Sequence, residues 1–443
     1  MDAVVISAPA ETAETFRARR RIAARNLGDG ALILKSAPVQ NDGRDGAHPY
    51  RPDKYLYYLT GFAEPESALL LQIRDGNIKR EILLCRRRDA RAEQWDGGRA
   101  GPLRARRQTG IAESGDIAEF RAHLDALLHL CETAHYLPGV DRELDLYLCK
   151  TAAARRLQNR GEAPVLRAMS DASVALDEMR AVKSSEEIAL LRRAAEITAA
   201  GHRAAMRAAK RAKTECEIEA ALGAAFRAAG ARHSFAPIVA AGRNARTLHY
   251  HANDGRIFAR DLILVDAGAE YREYAGDMSR TFPADGIFSP PQAALYDVVL
   301  SAQKHALAAI RPGAKWDAAE NTAARALSRG LAALGICKGG AKTIFARKLY
   351  RRFYMHRVGH FIGLDVHDVG RMTEDGGGAR ILRSGMALTV EPGLYIPDAA
   401  DIPREYRGIG IRIEDVAVVR PGGCEVLPGA PKTRAEIEKC ISG

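Results

Sequence analysis

The residues best suited to chemistry stand at the ends of strand-like runs. Leu262, Ile263, Leu264 and Val265 form a wholly apolar run that ends in Asp266 and the turn pair Ala267-Gly268. A carboxylate buried there without a partner costs several kcal/mol or shifts its pKa, so Asp266 needs a compensating group. A second acid, Asp277, lies in the strand-like stretch 271–282, and a turn within 270–273 would set both acids on one sheet face. Two such acids repel unless a cation or a proton stands between them. His360, Glu391 and Glu414 are further ligand types in later runs. The last run alternates: Ile409, Ile411 and Ile413 share a core face, while Gly410, Arg412 and Glu414 share the other.

Four carboxylates and one imidazole suit two divalent cations, whose charge balances that of the acids. With no thiolate among them, the set favours Mn²⁺, Co²⁺, Fe²⁺ or Zn²⁺ over a structural cysteine site. Two such ions about 3.5–4 Å apart acidify a shared water and polarise a carbonyl, which is metal-assisted hydrolysis. The same spacing also fits scattered structural acids.

The elements that must position these residues fall into two blocks. Residues 1–175 read as an α/β domain: apolar runs at 31–34, 68–73 and 81–85, a helix over 117–131, and turn chemistry at Asp29-Gly30, Asp75-Gly76-Asn77 and Pro138-Gly139. The aromatic stretch 55–61 reads as a strand entering a turn. Residues 176–443 read as α+β, with paired helices beside a twisted antiparallel sheet. Ser184 with Glu187, and Thr214 with Glu217, have capping-box spacing at two helix starts. Further helices are predicted over 292–310 and 317–334, and strands over 262–265, 271–282, 387–396 and 408–419.

Composition excludes several classes. The 443 residues are 47% hydrophobic and 27% charged, which rules out a disordered, collagenous or coiled-coil chain. No apolar run approaches the ~20 residues that cross a bilayer, so no membrane partner is expected. The chain opens with acid and small residues and only then reaches the basic run 17–25, the wrong order for a signal peptide, and the seven cysteines are dispersed and odd in number. A reduced, cytoplasmic protein is the expectation. The net charge of +11 raises nucleic acid as a partner, but the densest basic segment, 86–107, has eight arginines against three acids and no basic–aromatic repeat. A solvated loop is expected there instead.

The motifs Val265-Asp266-Ala267-Gly268, Tyr274-Ala275-Gly276-Asp277, Gly363-Leu364-Asp365-Val366-His367, Thr389-Val390-Glu391-Pro392-Gly393 and Gly410-Ile411-Arg412-Ile413-Glu414, in this order, resemble bacterial-type aminopeptidase P. That family belongs to the pita-bread dinuclear metallopeptidases. Tyr57-Tyr58-Leu59-Thr60-Gly61-Phe62, Arg88-Asp89 and Trp95-Asp96-Gly97 extend the resemblance to the N-terminal domain. It implies a curved antiparallel sheet flanked by helix pairs, and two metal ions, usually Mn²⁺, held by Asp266, Asp277, His360, Glu391 and Glu414. Asp277 and Glu414 would bridge the ions, and Glu391 would also carry a proton to the leaving proline nitrogen. His249, His356 and His367 match histidines around the scissile bond, and Arg412 and Tyr395 match residues near the proline pocket. Trp95 matches a tryptophan that reaches a neighbouring subunit's site, in a homodimer or homotetramer. Two stretches depart from the family's pattern: Arg357-Val358-Gly359 and Pro52-Asp53-Lys54-Tyr55.

The implied activity is removal of an N-terminal residue when proline follows. Prolidase, with the same metal set but dipeptide substrates, is the nearest rival, and the segment around residues 88–98 tilts the reading toward the aminopeptidase. Methionine aminopeptidase lacks so large an N-terminal domain, and creatinase-like enzymes lack the five ligands. A non-catalytic binding protein on the same fold is the rival from another class.

Overall fold

The computed structural model describes residues 11–44, 46–158 and 165–443, which form two compact units meeting in sequence at Met179 and Arg180.

The N-terminal unit is built on a six-stranded mixed sheet. Its strands run in the order Glu113–Asp116, Asn77–Cys85, Ala68–Arg74, Gly30–Lys35, Thr133–Tyr136 and Ala168–Asp171. The three middle strands pair antiparallel, and the outer ones join in parallel. The two central strands are buried almost throughout, which explains their near-continuous apolar sequence. Residues 55–61 correct the sequence reading: Lys54–Thr60 is a helix, not a strand. The Asp53 side chain caps its start by accepting from the Leu56 amide at 2.7 Å. Gly61, at φ 68°, ends it in the left-handed conformation. These local end signals outweigh the β preference of three tyrosines. The basic segment forms two short helices, Ala90–Asp96 and Gly101–Thr109, in which Arg88 pairs with Glu93 and Arg99 with Asp96.

The C-terminal unit has the predicted helix pairs and antiparallel strands. Ser185–Ala208 packs on Glu215–Ala228, and Pro290–Ala309 on Trp316–Ala333. The Ser184–Glu187 capping box forms. At the second helix, the Thr214 hydroxyl instead donates to the Glu217 side chain at 3.0 Å, and its backbone bridges to Arg256. The long strands predicted from hydropathy are broken where the acids stand. Ala269–Tyr271 and Tyr274–Ala275 make a hairpin across Arg272 and Glu273, both at positive φ, and Ser279–Pro283 follows only after Asp277. Ala387–Val390 is separated from Gly393–Tyr395 by Glu391-Pro392, and Gly410–Arg412 from Asp415–Arg420 by Ile413-Glu414. Each interruption frees a carboxylate from strand alternation.

Candidate active site

The interrupted strands converge on one cavity of about 500 Å³ lined by Asp266, Asp277, His360, Glu391 and Glu414, with His249, His356, His367 and Arg412 also on its wall. Leu262–Asp266 pairs with Ser279–Pro283 so that Asp266 lies opposite Ser279. Gly268 lets the chain carrying Asp277 cross close by: a Cβ there would stand 1.7 Å from the Gly276 carbonyl oxygen. Glu414 joins through its backbone amide, which donates to the Ser279 carbonyl at 3.0 Å. His360 and Glu391 are tied to neighbouring segments by the Thr389 amide donating to the His360 carbonyl at 2.9 Å and the Glu391 amide donating to the Val358 carbonyl at 2.7 Å.

The electrostatics call for a cation. Ligand atoms of Asp277, His360 and Glu414 all lie within 4.8 Å of one another. Burial, reinforced by the Asp266 charge and only partly offset by a hydrogen bond from His360, raises Asp277 to about 6. Burial also raises Glu391 to about 7, with Asp277 and Asp266 adding to the rise, and lifts Glu414 above its usual range. Like charges held this close retain protons when nothing else neutralises them. Asp266 Oδ1 is buried without a hydrogen-bond partner, an open acceptor on the cavity wall. His360 Nδ1 donates to the Phe361 carbonyl at 2.9 Å, which leaves Nε2 facing Asp277 at 3.4 Å and Glu391 at 3.6 Å. An imidazole oriented in this way presents its lone pair to a metal. Burial opposes its protonation, but Asp277 and Glu391 outweigh that and raise His360 to about 9. This oxygen-rich set with one imidazole fits divalent cations.

Behind the acids, Arg412 is fully engaged. Its Nη2 donates to Asp266 Oδ2 at 2.6 Å, its Nη1 to the Tyr395 hydroxyl at 2.8 Å and its Nε to Ser279 Oγ at 2.8 Å. The His356 Nδ1 donates to the Arg357 carbonyl at 2.7 Å, so its Nε2 accepts from the Tyr395 hydroxyl at 2.9 Å. Burial, followed by the Arg412 charge, lowers His356 to about 4 and keeps the ring neutral. The His367 ring lies 4.1 Å from that of His360.

Two predicted site residues stand elsewhere. Tyr395 is buried behind His356 and Arg412 and does not line the cavity. Trp95, in the N-terminal unit, is 84% exposed and is not on the cavity wall. His251, which the sequence reading did not single out, is exposed and also lines the cavity, its ring stacked on His249. Sequence reasoning missed Ser279, whose hydroxyl donates to Glu414 Oε2 at 2.8 Å; strand alternation from Asp277 points to it. It also missed Glu320, which holds the Val358 amide at 2.7 Å from the helix Trp316–Ala333 and leaves no local signal.

Comparison with known proteins accounts for both units. Residues 189–421 match the model of metallopeptidase family M24, and residues 16–136 match the aminopeptidase P N-terminal domain. The chain is 40% identical to a Xaa-Pro aminopeptidase of Haemophilus influenzae, covering 97% of each, and 37% identical to one of Escherichia coli, covering 96% of each. Among solved structures, a Pseudomonas aeruginosa aminopeptidase is 41% identical, with a TM-score of 0.92 over 98% of both chains. A zinc-substituted Escherichia coli aminopeptidase P in complex with product is 37% identical, also with a TM-score of 0.92 over 98% of both. The expected α/β domain followed by a pita-bread domain is therefore borne out. A cluster of acids that demands a cation, on a fold shared over nearly the whole chain, makes this protein a member of metallopeptidase family M24.

Proposed function

We propose that the enzyme releases the N-terminal residue of peptides whose second residue is proline, using two divalent ions, Mn²⁺ first among them. The ions would be held by Asp266, Asp277, His360, Glu391 and Glu414. The observation that carries the reading is the convergence of these five side chains on one cavity, with acids that hold protons well above their usual range. Relatives named Xaa-Pro aminopeptidase, 37–40% identical along nearly the full chain, support the substrate.

Bound there, the ions would polarise the scissile carbonyl and acidify a water. The chain's own residues do the rest. Glu391, 3.6 Å from His360 and 3.8 Å from His356, is positioned to take a proton and pass it to the leaving proline nitrogen. His356 stays neutral, and its ring is held between the Arg357 carbonyl and the Tyr395 hydroxyl beside the reacting bond. His249 and His367 contact substrate from the same wall, and Phe235, Ile238, Leu248 and Val366 supply an apolar surface for the pyrrolidine ring. Arg412 adds one positive charge to the site, which favours a developing oxyanion. Trp95, so exposed in one chain, is a natural contact in a homodimer or homotetramer. The cysteines, all free, suit a reducing cytoplasm.

The test is hydrolysis of Arg-Pro-Pro beside Ala-Pro by chelated and Mn²⁺-reloaded protein. Metal-dependent release of arginine from the tripeptide is the expected result. Cleavage of the dipeptide alone would make the enzyme a dipeptidase, and silence on both would refute the peptidase reading.

A further inference from the structure

Among the residues lining the site cavity, two arginines stand beside the four acids, and their situations differ. Arg412 is buried and committed to Asp266, Ser279 and Tyr395. Arg357 is exposed, and among the described residues no carboxylate lies within ion-pair distance of its guanidinium. Its Nη1 faces instead the Met372 sulfur, a weak acceptor that also lines the cavity. Nearby exposed arginines are paired: Arg351 with Glu320, Arg352 with Asp401 and Arg371 with Asp375.

The backbone around Arg357 is held from both sides while its side chain is not. The Arg357 carbonyl accepts from His356 Nδ1, the Val358 amide donates to Glu320, and the Val358 carbonyl accepts from the Glu391 amide. The guanidinium is therefore presented to the cavity from a fixed point, one residue from His356. Two planar donors on a cation match a carboxylate in a paired geometry. Exposed Arg357 and half-buried Met372 stand on the same cavity lining as the acid cluster, so a peptide whose first carbonyl reaches that cluster can extend past its proline to them.

We propose that Arg357 is a specificity-determining residue that receives a carboxylate carried by the substrate beyond the proline. This inference rests on the Xaa-Pro reading above. The carboxylate comes from one of two sources, the free C-terminus of a tripeptide or an acidic side chain at the third position.

Both sources are tested with the Mn²⁺-loaded full chain. The kcat/KM of Ala-Pro-Ala is compared with that of its C-terminal amide, and Ala-Pro-Asp-amide with Ala-Pro-Asn-amide, for the parent, Arg357→Gln and Arg357→Lys. The parent should favour the acidic member of at least one pair by about three- to tenfold, chiefly through KM, with the preference shrinking at high salt. Arg357→Gln should bring that ratio close to one, and Arg357→Lys should restore part of it. A preference in the first pair assigns the terminal carboxylate, and one in the second assigns the side chain. Absence of any preference in the parent, or an equal preference in Arg357→Gln, overturns the proposal while leaving the Xaa-Pro reading intact. Failure of the folded, metal-loaded parent to cleave any of the four peptides overturns both.

Discussion

His360 and Glu391 show how single side chains are prepared for their work. The Phe361 carbonyl accepts from His360 Nδ1, so Nε2 is the nitrogen that faces the acids and would bind a cation once its proton is displaced. Glu391 stands between the two histidines of the loop, 3.6 Å from His360 and 3.8 Å from His356. Replacing Glu391 with Gln keeps the shape and removes the transferable proton. Turnover of Arg-Pro-Pro should fall by roughly 10²–10⁴, the range of acid–base contributions. Because the change also deletes one of several repelling acids, the chelated variant should melt no lower than the chelated parent. Near-parental turnover in metal-replete Glu391→Gln protein would remove Glu391 from the mechanism.

At the scale of elements, the loop that carries His367 depends on a buried ion cluster. Arg180 donates to Asp368 at 2.6 Å and to Asp365 at 2.7 Å, and Lys183 donates to the other Asp368 oxygen at 2.9 Å. The side chains of Arg180, Lys183 and Asp368 are no more than 2% exposed. Burial works against ionisation of Asp368, but the two cations more than offset it and hold the carboxyl below its usual range. Breaking such a set by removing one charge leaves the others buried and uncompensated, which costs about 3–5 kcal/mol. Asp368→Asn should lose stability on that scale in urea denaturation, and turnover should drop because His367 is the preceding residue. A loss below ~1 kcal/mol would mean that the cluster adds little to the fold.

For the whole molecule, metal binding and proton release are linked. In the metal-free protein Asp277 holds its proton to about 6, Glu391 to about 7 and His360 to about 9. A cation binds the deprotonated groups and must displace those protons, so affinity rises with pH and levels off above about 9. Calorimetric titration with Mn²⁺ should show tighter binding at about pH 8 than at about pH 6, with net proton release in buffers of differing ionisation enthalpy. Saturation also stabilises the fold: an ion at 100 times its Kd adds about 2.7 kcal/mol. Affinity that is flat across this range would show that the five side chains do not act together as ligands.

Local sequence determined the two helix pairs, the capped start at Ser184 and the apolar strand ending in Asp266, because periodicity and end-capping are short-range effects. It also marked the four acids and the imidazole by residue type. It misjudged the Lys54–Thr60 helix, where Asp53 and Gly61 at the ends overrode the β preference of the tyrosines between them. It drew through-going strands where Glu391 and Glu414 actually sit in breaks. Only the tertiary structure decided how close the ligands come, which Arg412 contacts tie Asp266 to Ser279 and Tyr395, and that Glu320 anchors the histidine loop. Those contacts join residues far apart in the chain, where spacing carries no information about distance. The pairing of segments and the shared exclusion of water set it instead.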